Sequence, residues 1–173
     1  VRNKQLRLFI RTVILCIIVI AVGYTIFQGV KSKEAVKEGD VVPNFELKNL
    51  QDHEVELKDL RGKGVMLNFW GSWCKPCEQE MPFIEEAYKN KPANVEMYGV
   101  NIGDSNLVAE KFMNRVGATF PTLLDHDKAI SQAYALTETP TTFFIDKHGK
   151  VVKMIPTMTS AAEVSHYLHM IAP

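Results

Sequence analysis

At 173 residues the chain is long enough for one domain with a sizeable core and a modest extra segment. Its hydrophobic fraction of 46% and formal net charge of zero are those of an ordinary folded protein, but the zero is a cancellation. Residues 1–30 hold Arg2, Lys4, Arg7 and Arg11 with no acid, which leaves 16 of the 20 basic side chains facing all 20 acidic ones, net −4. A mildly acidic remainder has no basic footprint for nucleic acid, and that class of partner is excluded.

Read from the amino terminus, residues 1–11 form a basic segment, and 12–30 contain no charged residue. Val13 to Val22 is almost wholly aliphatic apart from Cys16. As a helix, nineteen residues extend about 28 Å, close to the hydrocarbon thickness of a bilayer. The preceding basic cluster would keep the amino terminus cytoplasmic and send the rest of the chain across. Ala21-Val22-Gly23 is a passable cleavage site, but the apolar character continues through Tyr24, Ile26 and Phe27. The run is therefore expected to be an uncleaved signal-anchor, with Cys16 an inert passenger in it.

Half of residues 31–42 are charged and the stretch lacks apolar periodicity, which reads as a tether to a domain over 43–173. Pro43 to Leu47 and Glu54 to Leu57 predict a hairpin around a turn at Asn49 to His53. Val65 to Trp70 is a short apolar run that suits a buried strand. After it, Met81, Ile84, Ala87 and Tyr88 recur at helical spacing, and the predicted helix reaches about Asn90 with a kink at Pro82. Strands are predicted at 95–101 and 122–124. Between them Asp104-Ser105 is expected to cap a helix that Gly117 ends near Val116. A short helix over 127–135, a hairpin of 142–146 with 151–155, and an amphipathic helix over 160–171 complete the chain. This alternation implies an α/β domain with a mixed central sheet, helices on its faces and the 65–70 strand in its middle.

Where that strand hands over to the helix lies Trp73-Cys74-Lys75-Pro76-Cys77. Unpaired backbone N–H groups and the positive end of the helix dipole stabilise a thiolate there. Cys74 is thus expected to be an exposed attacking sulfur, its pKa below the ~8.5 of a free thiol and near ~7 or lower. Cys77, one turn on, can close a disulfide with it. Pro76 suits a first turn because its absent N–H would lack a partner anyway. A zinc half-site would need about four ligands, and neither Cys16 nor any of the five histidines supplies a second pair nearby. Attachment of c-type haem would require His after Cys77, where Glu78 stands. The pattern points to thiol–disulfide chemistry, with no cofactor beyond the pair and no metal.

Trp70-Gly71-Ser72-Trp73-Cys74-Lys75-Pro76-Cys77 with Thr139-Pro140-Thr141-Thr142-Phe143 far downstream resembles the thioredoxin superfamily. The anchor, the early hairpin, the insert near 102–118 and Glu80 are similar to its TlpA/ResA branch. The resemblance implies a thioredoxin-like fold preceded by one transmembrane helix, and a cis Thr139–Pro140 bond facing the cysteines. It makes Trp73, Thr139 and Pro140 candidates for substrate binding, and Lys75 and Pro76 candidates for tuning the potential. Thioredoxins carry a buried aspartate six residues before the first Cys, where this chain has Asn68; an amide takes no proton, so the resemblance passes that work to Glu80. A cation at Lys75 would favour thiolate and push the couple toward oxidant, unless water screens it.

The function so implied is a membrane-anchored disulfide reductant on the outer face of a bacterial cell membrane. Its client would be the Cys-x-x-Cys-His disulfide of apocytochrome c, and a membrane thiol–disulfide carrier of the CcdA type would return its electrons. The same residues also fit a disulfide oxidase or isomerase, a reductant for another exported client such as a spore-envelope enzyme, or a thiolate metal carrier.

Overall fold

The computed structural model describes residues 2–29 and 35–173, the side chains of 2–6, 8 and 25–29 excepted. Val30 at the end of the expected anchor and residues 31–34 of the expected tether lie outside the described residues. The chain divides into two units, 1–33 and 34–173. In the first, helix α1 runs over Arg2–Gly29. Among the described residues no helix is long and apolar enough to cross a membrane.

The second unit is built on strand β3 (Gly64–Trp70), buried at every position. It pairs in parallel with β4 (Val95–Ile102) and antiparallel with β6 (Thr141–Ile145). Strand β5 (Thr122–Asp125) and strand β7 (Val151–Ile155) complete a five-stranded sheet of order β5-β4-β3-β6-β7. A separate hairpin joins β1 (Glu46–Lys48) to β2 (Glu54–Glu56), and Asn49 Oδ1 accepts the N–H groups of Gln51 and His53 in its turn. The mixed sheet and the central strand lie where the sequence predicts them, and the hairpin folds about the predicted turn, but its first strand is Glu46–Lys48 rather than Pro43 to Leu47.

Because strand side chains alternate, β3 feeds two cores. Val65, Leu67 and Phe69 pack on one face with Tyr134, Phe143 and Ile145. Met66 and Trp70 pack on the other, beneath helices α2 (Lys75–Lys89), α3 (Asn106–Val116) and α5 (Ala161–Ile171). Asn68 has the same parity as Met66 and Trp70, so the one polar residue of the strand points at α2. Helix α2 stays helical through Pro82. Ser160 caps α5 by accepting the Glu163 N–H at 3.2 Å, and Gly117 closes α3 at φ 69°.

Elsewhere the start of the domain, the extent of one helix and the cap of another differ from expectation. Val36 to Val42 already belong to the folded unit: Val36 N–H donates to the Tyr134 carbonyl, and Val151 N–H to that of Asp40, so the packed domain starts before Pro43. Helix α4 is confined to Ala129–Ala133, because the Asp125 carboxylate accepts the N–H groups of Ile130 and Ser131 and so fixes its start. Ser105 stands at the start of α3 without a capping side-chain bond, and Asp104 turns elsewhere.

Gly99 of β4 has packing reasons to be glycine. A Cβ there would lie 2.7 Å from Trp70 Nε1 and 3.1 Å from both Phe120 and Thr122. Trp70 has little freedom to move away, since its ring stacks on Phe112 at 4.6 Å. Gly99→Ala is therefore expected to destabilise the domain by about 1–3 kcal/mol in urea unfolding. Parent-like stability would show that the Trp70 pocket is looser than this packing.

Candidate functional site: a disulfide above a buried carboxyl

The end of β3 runs through Gly71-Ser72-Trp73 into α2, and Cys74 is that helix's N-cap residue. Its backbone is extended (φ −91°, ψ 105°), and its Sγ accepts the Cys77 N–H at 3.2 Å. Cys74 and Cys77 form a disulfide with Cα atoms 5.3 Å apart. Pro76 occupies the first turn, where no N–H is needed.

The sequence predicts an exposed Cys74, and the structure corrects this. Cys74 is only 5% exposed and Cys77 is fully buried. A helix end favours thiolate, whereas burial in apolar surroundings opposes it. The expectation of an exposed sulfur counted the helix end alone. The Lys75 ammonium pairs with Glu78 Oε2 at 3.2 Å on an exposed face, so its charge is offset and screened rather than spent on the sulfur.

Glu80 sits one turn beyond Cys77 on α2 and is completely buried. Its Oε1 accepts from Asn68 Nδ2 at 2.7 Å and its Oε2 from the Met158 N–H at 2.8 Å. Asn68 Nδ2 also donates to Thr142 Oγ1 at 2.9 Å, across the register pair that joins β3 to β6. Burial raises the Glu80 pKa to about 7, against the opposing pull of the bonds from Met158 and Asn68. Asn68 Oδ1 is buried and has no partner among the described residues. Rotation of the amide would turn that acceptor toward a protonated Glu80.

The Thr139–Pro140 bond is cis. Because Phe69 pairs with Thr141, the bond lies at the end of the sheet from which β3 leads to the cysteines. Pro140 is buried. Trp73, 64% exposed, and Thr139 line one open groove of about 350 Å³, together with Ile102, Lys128 and Leu136. The structure thus brings Trp73 and Thr139 together beside the cysteine turn. Glu80 meets Asn68 beneath the sheet surface.

The AhpC/TSA family model matches residues 39–154. Over 99% of this chain and 97% of its own length, the thiol-disulfide oxidoreductase ResA of Bacillus subtilis (strain 168) is 43% identical to it. The chain belongs to the AhpC/TSA family, among the ResA-type thiol–disulfide oxidoreductases. The ResA of Geobacillus kaustophilus (strain HTA426) is 45% identical over 99% of both chains. The crystal structure of StoA from Bacillus subtilis superposes with TM-score 0.66 at 26% identity, covering 74% of this chain and 98% of that one. As in other oxidoreductases of this type, the redox group is the cysteine pair, Cys74 and Cys77, rather than a bound cofactor. Among the described residues no group of three or more His, Cys, Asp or Glu side chains could hold a metal ion.

Three parts of the site escaped the sequence. Thr142 could have been found from the strand register, because the hairpin sets it opposite Asn68. Nothing in the residue pattern marks the Met158 N–H as a Glu80 donor. Nor does it mark Asp104, which accepts from Ser72 N–H at 2.8 Å and Ser72 Oγ–H at 2.9 Å.

The raised Glu80 pKa has a definite sign in stability. Between about 4.5, its ordinary value, and about 7 the native state keeps a proton that the unfolded chain has released. Stability is thus fully present below that window, falls as pH rises through it, and levels off above. Over the whole interval Glu80 costs roughly 3 kcal/mol. Relative to the parent, Glu80→Gln is expected to gain about that much between about pH 4.5 and about pH 8 in urea unfolding. A difference that does not change with pH contradicts the proton-holding carboxyl.

Proposed function

We propose that this oxidoreductase works as a reductant on the outer face of a bacterial cell membrane, held there by its amino-terminal helix. Its client in this reading is the Cys-x-x-Cys-His disulfide of apocytochrome c, and a membrane carrier of the CcdA type returns its electrons. The observation that carries the reducing direction is the fully buried Glu80 one turn from a fully buried Cys77. A strongly oxidising couple needs its reduced, thiolate form stabilised. Here burial and a neighbouring carboxylate both oppose thiolate charge, and Lys75 is neutralised by Glu78. The dithiol gains little from ionisation, so its electrons are readily passed on.

In each turnover the Cys74 thiolate attacks one sulfur of the client disulfide. The client S–S bond breaks, a mixed disulfide forms, and the first client thiolate leaves to take up the proton that Cys74 released. Cys77 then gives its proton to Glu80 and attacks Cys74 Sγ. The mixed disulfide breaks, the second client thiolate leaves, and the proton follows it from Glu80. Two electrons have passed to the client, and a second dithiol must reopen Cys74–Cys77. The exposed ring of Trp73, with Ile102, Leu136 and Thr139 in the same groove, offers the client peptide a partly apolar rim beside the cysteine turn.

The anchor rests on the sequence, the uncharged run 12–30 behind four basic residues, most of which falls within helix α1. Its apolar side chains, Phe9, Ile14, Ile17 and Val19 among them, are exposed along the helix. Signal-anchor orientation then follows from the positive-inside rule.

In intact membranes Cys77→Ala is expected to accumulate a mixed disulfide between Cys74 and a c-type cytochrome precursor, because the resolving sulfur is gone. Partners drawn only from other exported proteins would overturn the client assignment. The complete absence of a covalent partner would overturn the reducing role.

A further inference from the structure

The loop that presents Cys74 is held by a carboxylate from a different element. Asp104 lies in the turn between β4 and α3, and its two oxygens accept both hydrogens that Ser72 can donate, N–H at 2.8 Å and Oγ–H at 2.9 Å. Asp104 is itself fixed. Asn101 Nδ2, at the buried end of β4, donates to Asp104 Oδ2 at 2.8 Å, while Asn101 Oδ1 accepts the Asp104 N–H at 3.2 Å. The turn closes through Gly103, at φ +76°, whose N–H donates to the Asp125 carbonyl. The Asp104 carbonyl is bonded to His126 Nδ1 at 2.7 Å. Asn101 stands beside Trp70 in the parallel register, so the clamp ties together the ends of the two central strands.

Ser72 sits inside the turn in which the Cys74 N–H donates to the Gly71 carbonyl at 3.0 Å. Fixing Ser72 therefore fixes the extended backbone by which Cys74 caps α2. While the disulfide is closed, the covalent bond to Cys77 holds Cys74 as well. Once it opens, that restraint is lost, and next to it stands the exposed Trp73.

We propose that Asp104 is a positioning residue for the attacking sulfur: through Ser72 it keeps Cys74 at the helix end in the reduced enzyme. The inference rests on the reading of Cys74 as attacking sulfur. It has a thermodynamic signature. A clamp needed mainly in the dithiol form stabilises that form more than the disulfide form, whereas a merely structural contact stabilises both alike.

The test compares full-length enzymes in equilibrium with glutathione and in attack on a small aromatic disulfide. Asp104→Ala is expected to shift the equilibrium about tenfold toward disulfide, about 30 mV, and to slow attack per thiolate about tenfold. Asp104→Asn can accept from Ser72 N–H and Asn101 with its oxygen and donate to Ser72 Oγ with its amide. It is expected to restore both readouts to within about twofold of the parent. Should Asp104→Ala fail to fold, Ser72→Ala, which removes only the hydroxyl bond, is expected to give a shift of about twofold to threefold in the same direction. Parent-like equilibrium and attack in Asp104→Ala, or in Ser72→Ala where the first does not fold, overturn the proposal. So does an Asp104→Asn enzyme displaced as far as Asp104→Ala, since charge rather than geometry would then be at work. Cys74→Ser separately tests the underlying reading, which requires it to abolish attack altogether.

Discussion

The structure depends on one constraint: a carboxyl group is buried within a turn of a buried sulfur, and both hang from the helix that leaves the central strand. A carboxylate taken out of water is unfavourable unless bonded, and among the described residues Glu80 receives two hydrogen bonds, from Asn68 and from the Met158 backbone. Those two bonds are too few to offset its burial, so it holds a proton up to about pH 7. A group poised there can accept a proton from a thiol and return it within the same turnover. The cost in stability is borne by the rest of the domain, whose two apolar cores flank the sheet.

The exchange of a strand aspartate for Asn68 fits this constraint. Two carboxylates facing each other in the same apolar layer would repel, whereas an amide donates to one acid and to Thr142 together. Asn68 is also adaptable, because its free oxygen can serve the protonated state of its neighbour. The strand position retains a polar partner for the helix, and the acid is moved onto the helix itself. That geometry leaves Cys77 between the helix end, which favours its thiolate, and Glu80, which opposes it.

Much of this was legible in the residues because it follows from short-range rules. The apolar run at 65–70 announced the central strand, Gly117 announced a helix end, and alternation along β3 determines that Asn68 faces α2. The cysteine pair at a strand–helix junction carried the chemistry by itself. What the sequence hid was tertiary. Asp104 looked like an ordinary helix cap, since a carboxylate at that place has a local use, and only folding reveals that Ser72 competes for it successfully. The burial of Cys74 was hidden for the same reason: a helix end seen alone is solvated, and the neighbouring layers that cover it come from distant parts of the chain. Likewise Lys75 read as a cation beside a sulfur, until Glu78 was found to take it.

The proposed mechanism requires the Glu80 carboxyl, one helical turn from Cys77, to share its proton with the redox couple. The midpoint potential, followed against pH by equilibration with glutathione, reads this directly, since two electrons with two protons give a slope of about 59 mV per pH unit. If opening the disulfide changes the proton affinity of Glu80, the parent enzyme departs from that slope around pH 7, and Glu80→Gln runs straight through the region. Identical profiles for the two enzymes would contradict the coupling on which the proposed mechanism stands.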